Sequence, residues 1–65
     1  MNDLDYQLRA EGLTLVEASA ISGIGRTKLY QAISQRKLKA RKWGSRTIVL
    51  RSDLLQFLNS LPEVQ

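Results

Sequence analysis

The amino-acid sequence predicts a mostly α fold with one small β-hairpin: two short helices joined by a tight turn, a two-stranded hairpin and a closing helix. Three observations predict it. Thr14-Leu15-Val16-Glu17 opens a helix that Gly23 closes, and a second helical stretch begins just after Gly25. Gly44-Ser45 stands between two strand-like runs, 38–43 and 46–50. Leu54, Phe57, Leu58 and Leu61 then form an apolar stripe at helical spacing, and Pro62 ends it.

Residues 1–12 read as an N-terminal tail or a short helix with Leu4 and Leu8 on one side and Gly12 at its end. Residues 13–62 read as a single domain. Thr14 and Glu17 form a capping box, in which the Thr14 hydroxyl accepts from the Glu17 N–H and the Glu17 carboxylate reaches back. Leu13 and Ala18 take the hydrophobic-staple positions around it. Ala18, Ser19 and Ala20 are small enough to let a second helix approach closely, and Gly23 suits the left-handed residue that ends a helix. Ile24 is apolar within the turn and plugs the space between two helices.

The second helix spans about 26–34 with Gly25 as its N-cap. Leu29, Ala32 and Ile33 mark its buried face, and Thr27, Lys28, Gln31 and Ser34 its opposite face. A Gly-X pair between strand-like runs signals a two-residue type II′ hairpin. In that register Trp43 faces Arg46, Ala40 faces Val49, and Leu38, Ala40 and Val49 share an inner face. Ile48 and Leu50 fall on the other face, which leaves the register open. Ser52 is the expected N-cap of the last helix, with Asp53 in its first turn, where a negative charge suits the dipole. Leu55 lies off the apolar stripe.

A chain of 65 residues is at most one small domain with a modest core. It has no Cys, which excludes disulfides and thiolate metal sites, and no His, which removes the commonest general base and metal ligand. The reading is therefore non-enzymatic, with no catalytic residue, cofactor or metal, and the Ser and Thr residues lack a base partner that would make them nucleophiles. No apolar run approaches the roughly 20 residues that span a membrane. The acidic N-terminus lacks a signal-peptide pattern, so a cytoplasmic location is expected.

The net charge is +4, unevenly distributed. Residues 1–25 sum to −3 and residues 52–65 to −2, whereas Arg26, Lys28, Arg36, Lys37, Lys39, Arg41, Lys42, Arg46 and Arg51 give residues 26–51 a charge of +9 with no acid. That block has the form of an electrostatic footprint for a polyanion.

Two short helices joined by a glycine turn make a helix-turn-helix unit, whose second helix is shaped to lie in a DNA major groove. The hairpin after it makes a wing, so the fold class is a winged helix-turn-helix. Gln31 can pair with an adenine edge, Arg26 or Lys28 with guanine, and Thr27 with a base or phosphate. Tyr30 and Ser34 complete the expected recognition surface. Lys39, Arg41, Lys42, Trp43, Ser45 and Arg46 form the expected wing contacts to phosphates or a neighbouring minor groove. Tyr30 reads first as a packing residue with an exposed hydroxyl, and second as a base reader. Trp43 reads first as a cover for the small core with Arg46 stacked on its face, and second as a wedge or stacking group on DNA. Arg36 and Lys37 read as charges complementing a helix C-terminus.

The segment from Leu13 to Ala18, followed by Gly23-Ile24-Gly25-Arg26-Thr27-Lys28-Leu29-Tyr30, resembles the opening of excisionase-family DNA-binding proteins, relatives of the MerR-type winged helix. The stretch from Leu38 to Lys42 with Gly44-Ser45-Arg46 resembles the family wing, and Arg51-Ser52-Asp53-Leu54 with Phe57-Leu58 its closing helix. The resemblance spans residues 13–61. Gly25 stands where a Ser cap is usual, and Ser22 where a large apolar residue is usual. The long dimerisation helix of full MerR regulators has no counterpart. The resemblance implies double-stranded DNA as partner and a role as a recombination directionality factor of a mobile element, with an integrase or recombinase as further partner. It implies a bacterial or phage-encoded protein associated with the nucleoid. One recognition helix reads only a few base pairs, so cooperative multimers on DNA are expected, with Leu55, Leu4 and Leu8 as candidate contacts between copies. A small transcriptional regulator is the alternative of the same fold, and an RNA- or acidic-protein-binding module the alternative of another class.

Overall fold

In the computed structural model, which describes residues 11–64, helix α1 (Leu15–Ser22) starts on the capping box. The Glu17 N–H donates to the Thr14 hydroxyl at 3.2 Å, and the Thr14 N–H donates to the Glu17 carboxylate at 2.9 Å. Two of the orphan donors of the helix start are thereby satisfied. Gly23 ends α1 in the left-handed conformation at φ 76°, its N–H donating to the Ser19 carbonyl at 2.9 Å. The turn is held by side chains as well: the Ser19 hydroxyl donates to the Ile24 carbonyl at 2.7 Å, and the Ile24 N–H donates to the Ser22 hydroxyl at 3.2 Å. Ile24 packs against the core between the helices, as its apolar character predicts. Ser22, polar where a large apolar residue is usual, thus serves the turn.

Helix α2 (Arg26–Ser34) has Gly25 as its N-cap, with no side-chain hydrogen bond there. Strands β2 (Arg41–Trp43) and β3 (Arg46–Leu50) form the hairpin, and helix α3 (Arg51–Asn59) follows β3 directly. The hairpin has the expected register, with Trp43 opposite Arg46, Lys42 opposite Thr47 and Arg41 opposite Ile48. Gly44 has φ 61° and Ser45 does not share the positive φ, which is the pattern of a II′ turn. The first strand is shorter than expected. Leu38, Lys39 and Ala40 lie outside it: the chain leaving α2 first buries Leu38, 2% exposed, and pairing with β3 begins at Arg41.

The sheet has a third strand that the sequence reading lacked. β1 (Gly12–Thr14) pairs antiparallel with β3, so β3 is central in the order β1-β3-β2. Gly12, expected to end an N-terminal piece, is opposite Leu50, Leu13 opposite Val49 and Thr14 opposite Ile48. A Cβ on Gly12 would sit 3.2 Å from Ile48 Cγ2, so glycine leaves room for the Ile48 side chain on the outer face of the sheet. The other readings of residues 1–10, including Leu4 and Leu8, lie outside the described residues.

This strand also settles the two faces of β3. Leu13 and Val49 are both fully buried and point to the core, while Ile48 and Leu50 are half-buried on the opposite face. The core consists of Leu13, Leu15, Ala18, Leu29, Ala32, Leu38, Val49, Leu54 and Phe57, with Ile24, Ile33, Ala40 and Leu58 packed against it. Every element except β2 contributes a buried residue.

Helix α3 starts two residues earlier than expected. Its N-cap is Leu50, without a side-chain hydrogen bond, and Ser52 lies within the first turn rather than capping it. The cause is the sheet: Leu50 is still paired with Gly12, and the Arg51 N–H donates to the Glu11 carbonyl at 2.8 Å, so the residue before β1 satisfies one of the free N–H groups of the helix start. Asp53 does stand in the first turn. Leu54 and Phe57 are buried, but Leu61, read as part of the stripe, is 43% exposed. The helix has already ended at Ser60, whose hydroxyl donates to the Phe57 carbonyl at 2.6 Å before Pro62 is reached. Among the described residues, no helix is long and apolar enough to cross a membrane.

Candidate nucleic-acid interface

Helix α2 turns its cationic and polar residues away from the core. Leu29 is fully buried and Ala32 nearly so, and Ile33 packs beside them. At 3.6 residues per turn, Thr27, Gln31 and Ser34 lie opposite that buried face. Lys28 flanks them on one side, and Arg26 and Tyr30 on the other. All six are exposed. The Ser34 hydroxyl donates to the Gln31 carbonyl at 3.2 Å, so its donor is used within the helix while its lone pairs face solvent. Tyr30 is 54% exposed, consistent with a ring at the edge of the packed face and a hydroxyl in water.

The hairpin presents the second group. Lys39, Arg41, Lys42, Trp43, Ser45 and Arg46 are all exposed. Strand alternation sorts them: Arg41, Trp43, Arg46 and Ile48 share the sheet face opposite the core, and Lys42 and Thr47 the other face. Trp43 consequently does not cover the core. It is 79% exposed, and the reading of it as a packing residue is wrong. Its strand parity is that of Arg41, not of the inward Ala40, so no rotamer can bring it under the sheet. Leaving so large a ring in water forgoes burial worth about 2 kcal/mol.

Between these two groups runs a groove of about 580 Å³ lined by Ile33, Arg36, Leu38, Lys39, Ala40 and Arg41. Its floor is apolar and its rim carries three cations, so it links the end of α2 to the start of β2 along one positive track. Arg36 is a residue that sequence reasoning undervalued. It occupies the left-handed region at φ 62°, the one non-glycine residue with positive φ among the described residues. The cause is a Schellman-type ending: the Arg36 N–H donates to the Ile33 carbonyl at 3.0 Å, and the Lys37 N–H to the Ala32 carbonyl at 2.9 Å. Such a position favours glycine, and the only signal in the sequence is that α2 must end before Leu38 with no glycine available. The strain is retained together with a guanidinium on the groove rim.

A second, smaller cleft of about 200 Å³ is lined by Arg36, Lys37, Lys39, Asp53, Gln56, Phe57 and Ser60. There Asp53 sets one carboxylate at the back of the cationic rim, and its buried Oδ2 makes no hydrogen bond among the described residues. The surface formed by α2, the groove and the hairpin is otherwise free of acids, because residues 26–51 contain none.

No curated protein and no solved structure matches the chain. A family model does match it, over residues 13–62, which runs from within β1 past the end of α3 and holds the glycine turn, both helices around it and the hairpin. The chain belongs to the helix-turn-helix domain family.

Proposed function

We propose that this chain binds double-stranded DNA in a sequence-specific manner, laying α2 in the major groove and gripping the phosphate backbone with the hairpin. The observation that carries the reading is a surface built from residues 26–51, which contain no acid, joining an exposed, polar α2 face to a basic hairpin through a cationic groove. Gln31 and Lys28 are the base readers, with Thr27 and Arg26 at the entry of the helix, since amide and cationic side chains match adenine and guanine edges. Arg41, Lys42 and Arg46 bind phosphates and fix the register without reading sequence, with Lys39 at the groove. Ser45 at the turn offers a hydroxyl to the backbone, and Tyr30 and Ser34 border the base-reading face.

Within that function, the resemblance of residues 13–61 to excisionases favours an architectural role in a mobile element, with a recombinase beside it on the DNA. Control of transcription uses the same contacts. One recognition helix reads only a few base pairs, so several copies on adjacent sites supply the needed specificity. Leu55, 50% exposed on α3 and away from the basic surface, is a contact between such copies.

Groove-specific footprinting tests the binding reading. A duplex selected by the chain from a randomised pool should show guanine N7 atoms protected in the major groove over one short patch. Protection confined to the backbone, or equal binding to single-stranded RNA of the same length, would replace this reading with that of a general polyanion-binding module.

A further inference from the structure

The hairpin tip carries a group that phosphate binding does not explain. Trp43 is the chain's one tryptophan and is 79% exposed, on the closing pair of a two-residue turn. Its register partner is Arg46, and Arg41 stands two residues before it on the same sheet face, so the ring is flanked by cations. An apolar protein surface would have to desolvate those cations to reach the ring. A polyanion with stackable π faces meets both features, and nucleic acid is that chemistry.

We propose that Trp43 is a wedge: its indole enters a base step from the minor groove, unstacks it and kinks the duplex away from the hairpin. This rests on the DNA-binding reading above and deepens it. The two strands of the hairpin lie about 4.8 Å apart before side chains are counted, and an undistorted minor groove is only about 6 Å wide. The tip therefore enters fully only where the groove opens, and an apolar wedge that unstacks one step opens it. Gly44 and Ser45 keep the tip narrow, and Arg46 and Arg41, on the same face as the ring, are placed to hold the two phosphates that flank the opened step. Pyrimidine–purine steps unstack most easily, so the wedge selects a TA or CA step at a position that no side chain reads by hydrogen bonding.

The test uses the full chain and a duplex it selects from a randomised pool, labelled at both ends for energy transfer. Because Trp43 is the single tryptophan, its emission reports the wedge directly. On binding, acrylamide should lose most of its access to the indole and the end-to-end distance should shorten. Trp43→Ala should weaken binding about tenfold or more, abolish most of the bend and leave the salt dependence unchanged, whereas Trp43→Phe should restore much of the bend. The wedge is overturned if Trp43 stays as accessible to acrylamide in the complex as free, if the complex is straight, or if Trp43→Ala bends the duplex as the unaltered chain does. Those results leave duplex binding intact; absence of any duplex binding by the unaltered chain overturns both readings.

Discussion

Arg36 offers a perturbation whose sign and size follow from the backbone. At φ 62° its Cβ crowds the following carbonyl, a conformation that costs an L-residue roughly 1–2 kcal/mol and glycine almost nothing. Arg36→Gly removes that strain while keeping both bonds of the helix ending, since these are made by backbone N–H groups. Against the gain stands the greater freedom of glycine in the unfolded chain, about 0.4–1 kcal/mol. The net expectation is a stabilisation of about 0.5–1 kcal/mol, which in a domain of this size raises the melting temperature by about 2–8 °C. Arg36→Ala keeps the strain and loses the charge, so its stability should stay within about 0.5 kcal/mol of the parent. Thermal unfolding followed by circular dichroism compares the three chains. Both variants lose one cation from the groove, so the slope of log affinity for duplex DNA against log salt should become shallower by about 1 in each. A glycine variant that melts no higher than the alanine variant would refute the strain. Unchanged salt slopes in both would remove Arg36 from the interface.

Leu29→Ala and Phe57→Ala each delete a buried side chain and should cost about 2–5 kcal/mol, enough to leave most of so small a domain unfolded; a melt matching the parent would contradict the core assignment. Gly25 caps α2 without a side-chain hydrogen bond and a Cβ there meets open space, so Gly25→Ser should raise stability by about 0.5–1 kcal/mol in the same melts. Arg46→Ala should weaken binding to all duplexes alike and make the salt slope shallower by about 1 from an initial value of about −4 to −5. Gly44→Val, forced into φ 61°, should weaken binding further by deforming the turn while the far-ultraviolet helix signal persists.

What was legible in the sequence is what local chemistry decides. The capping box, the left-handed Gly23, the bounds of α2 and the II′ turn each depend on residues within a few positions of one another, and each stands where it was expected. What was not legible depends on partners far along the chain. Leu13 reads as a staple because nothing near it shows that Val49 lies opposite, and a strand as short as Gly12–Thr14 has too few residues to show a period of two. Ser52 looks like a cap because the sequence does not disclose that the Glu11 carbonyl accepts from Arg51. The expected interface residues on α2 and the hairpin all lie at the surface. Trp43 was misread because a large apolar ring is usually worth burying, although the hairpin register already gave it the outward parity.

The central claim is that α2 reads bases in a duplex, and the most direct measurement is the ratio of affinities for a selected duplex and a random-sequence duplex at one salt concentration. For the unaltered chain that ratio should be large, and Lys28→Ala and Gln31→Ala should each reduce it by the equivalent of about 1–3 kcal/mol while scarcely changing affinity for random DNA. A ratio near one, or equal losses on both duplexes, would contradict the account.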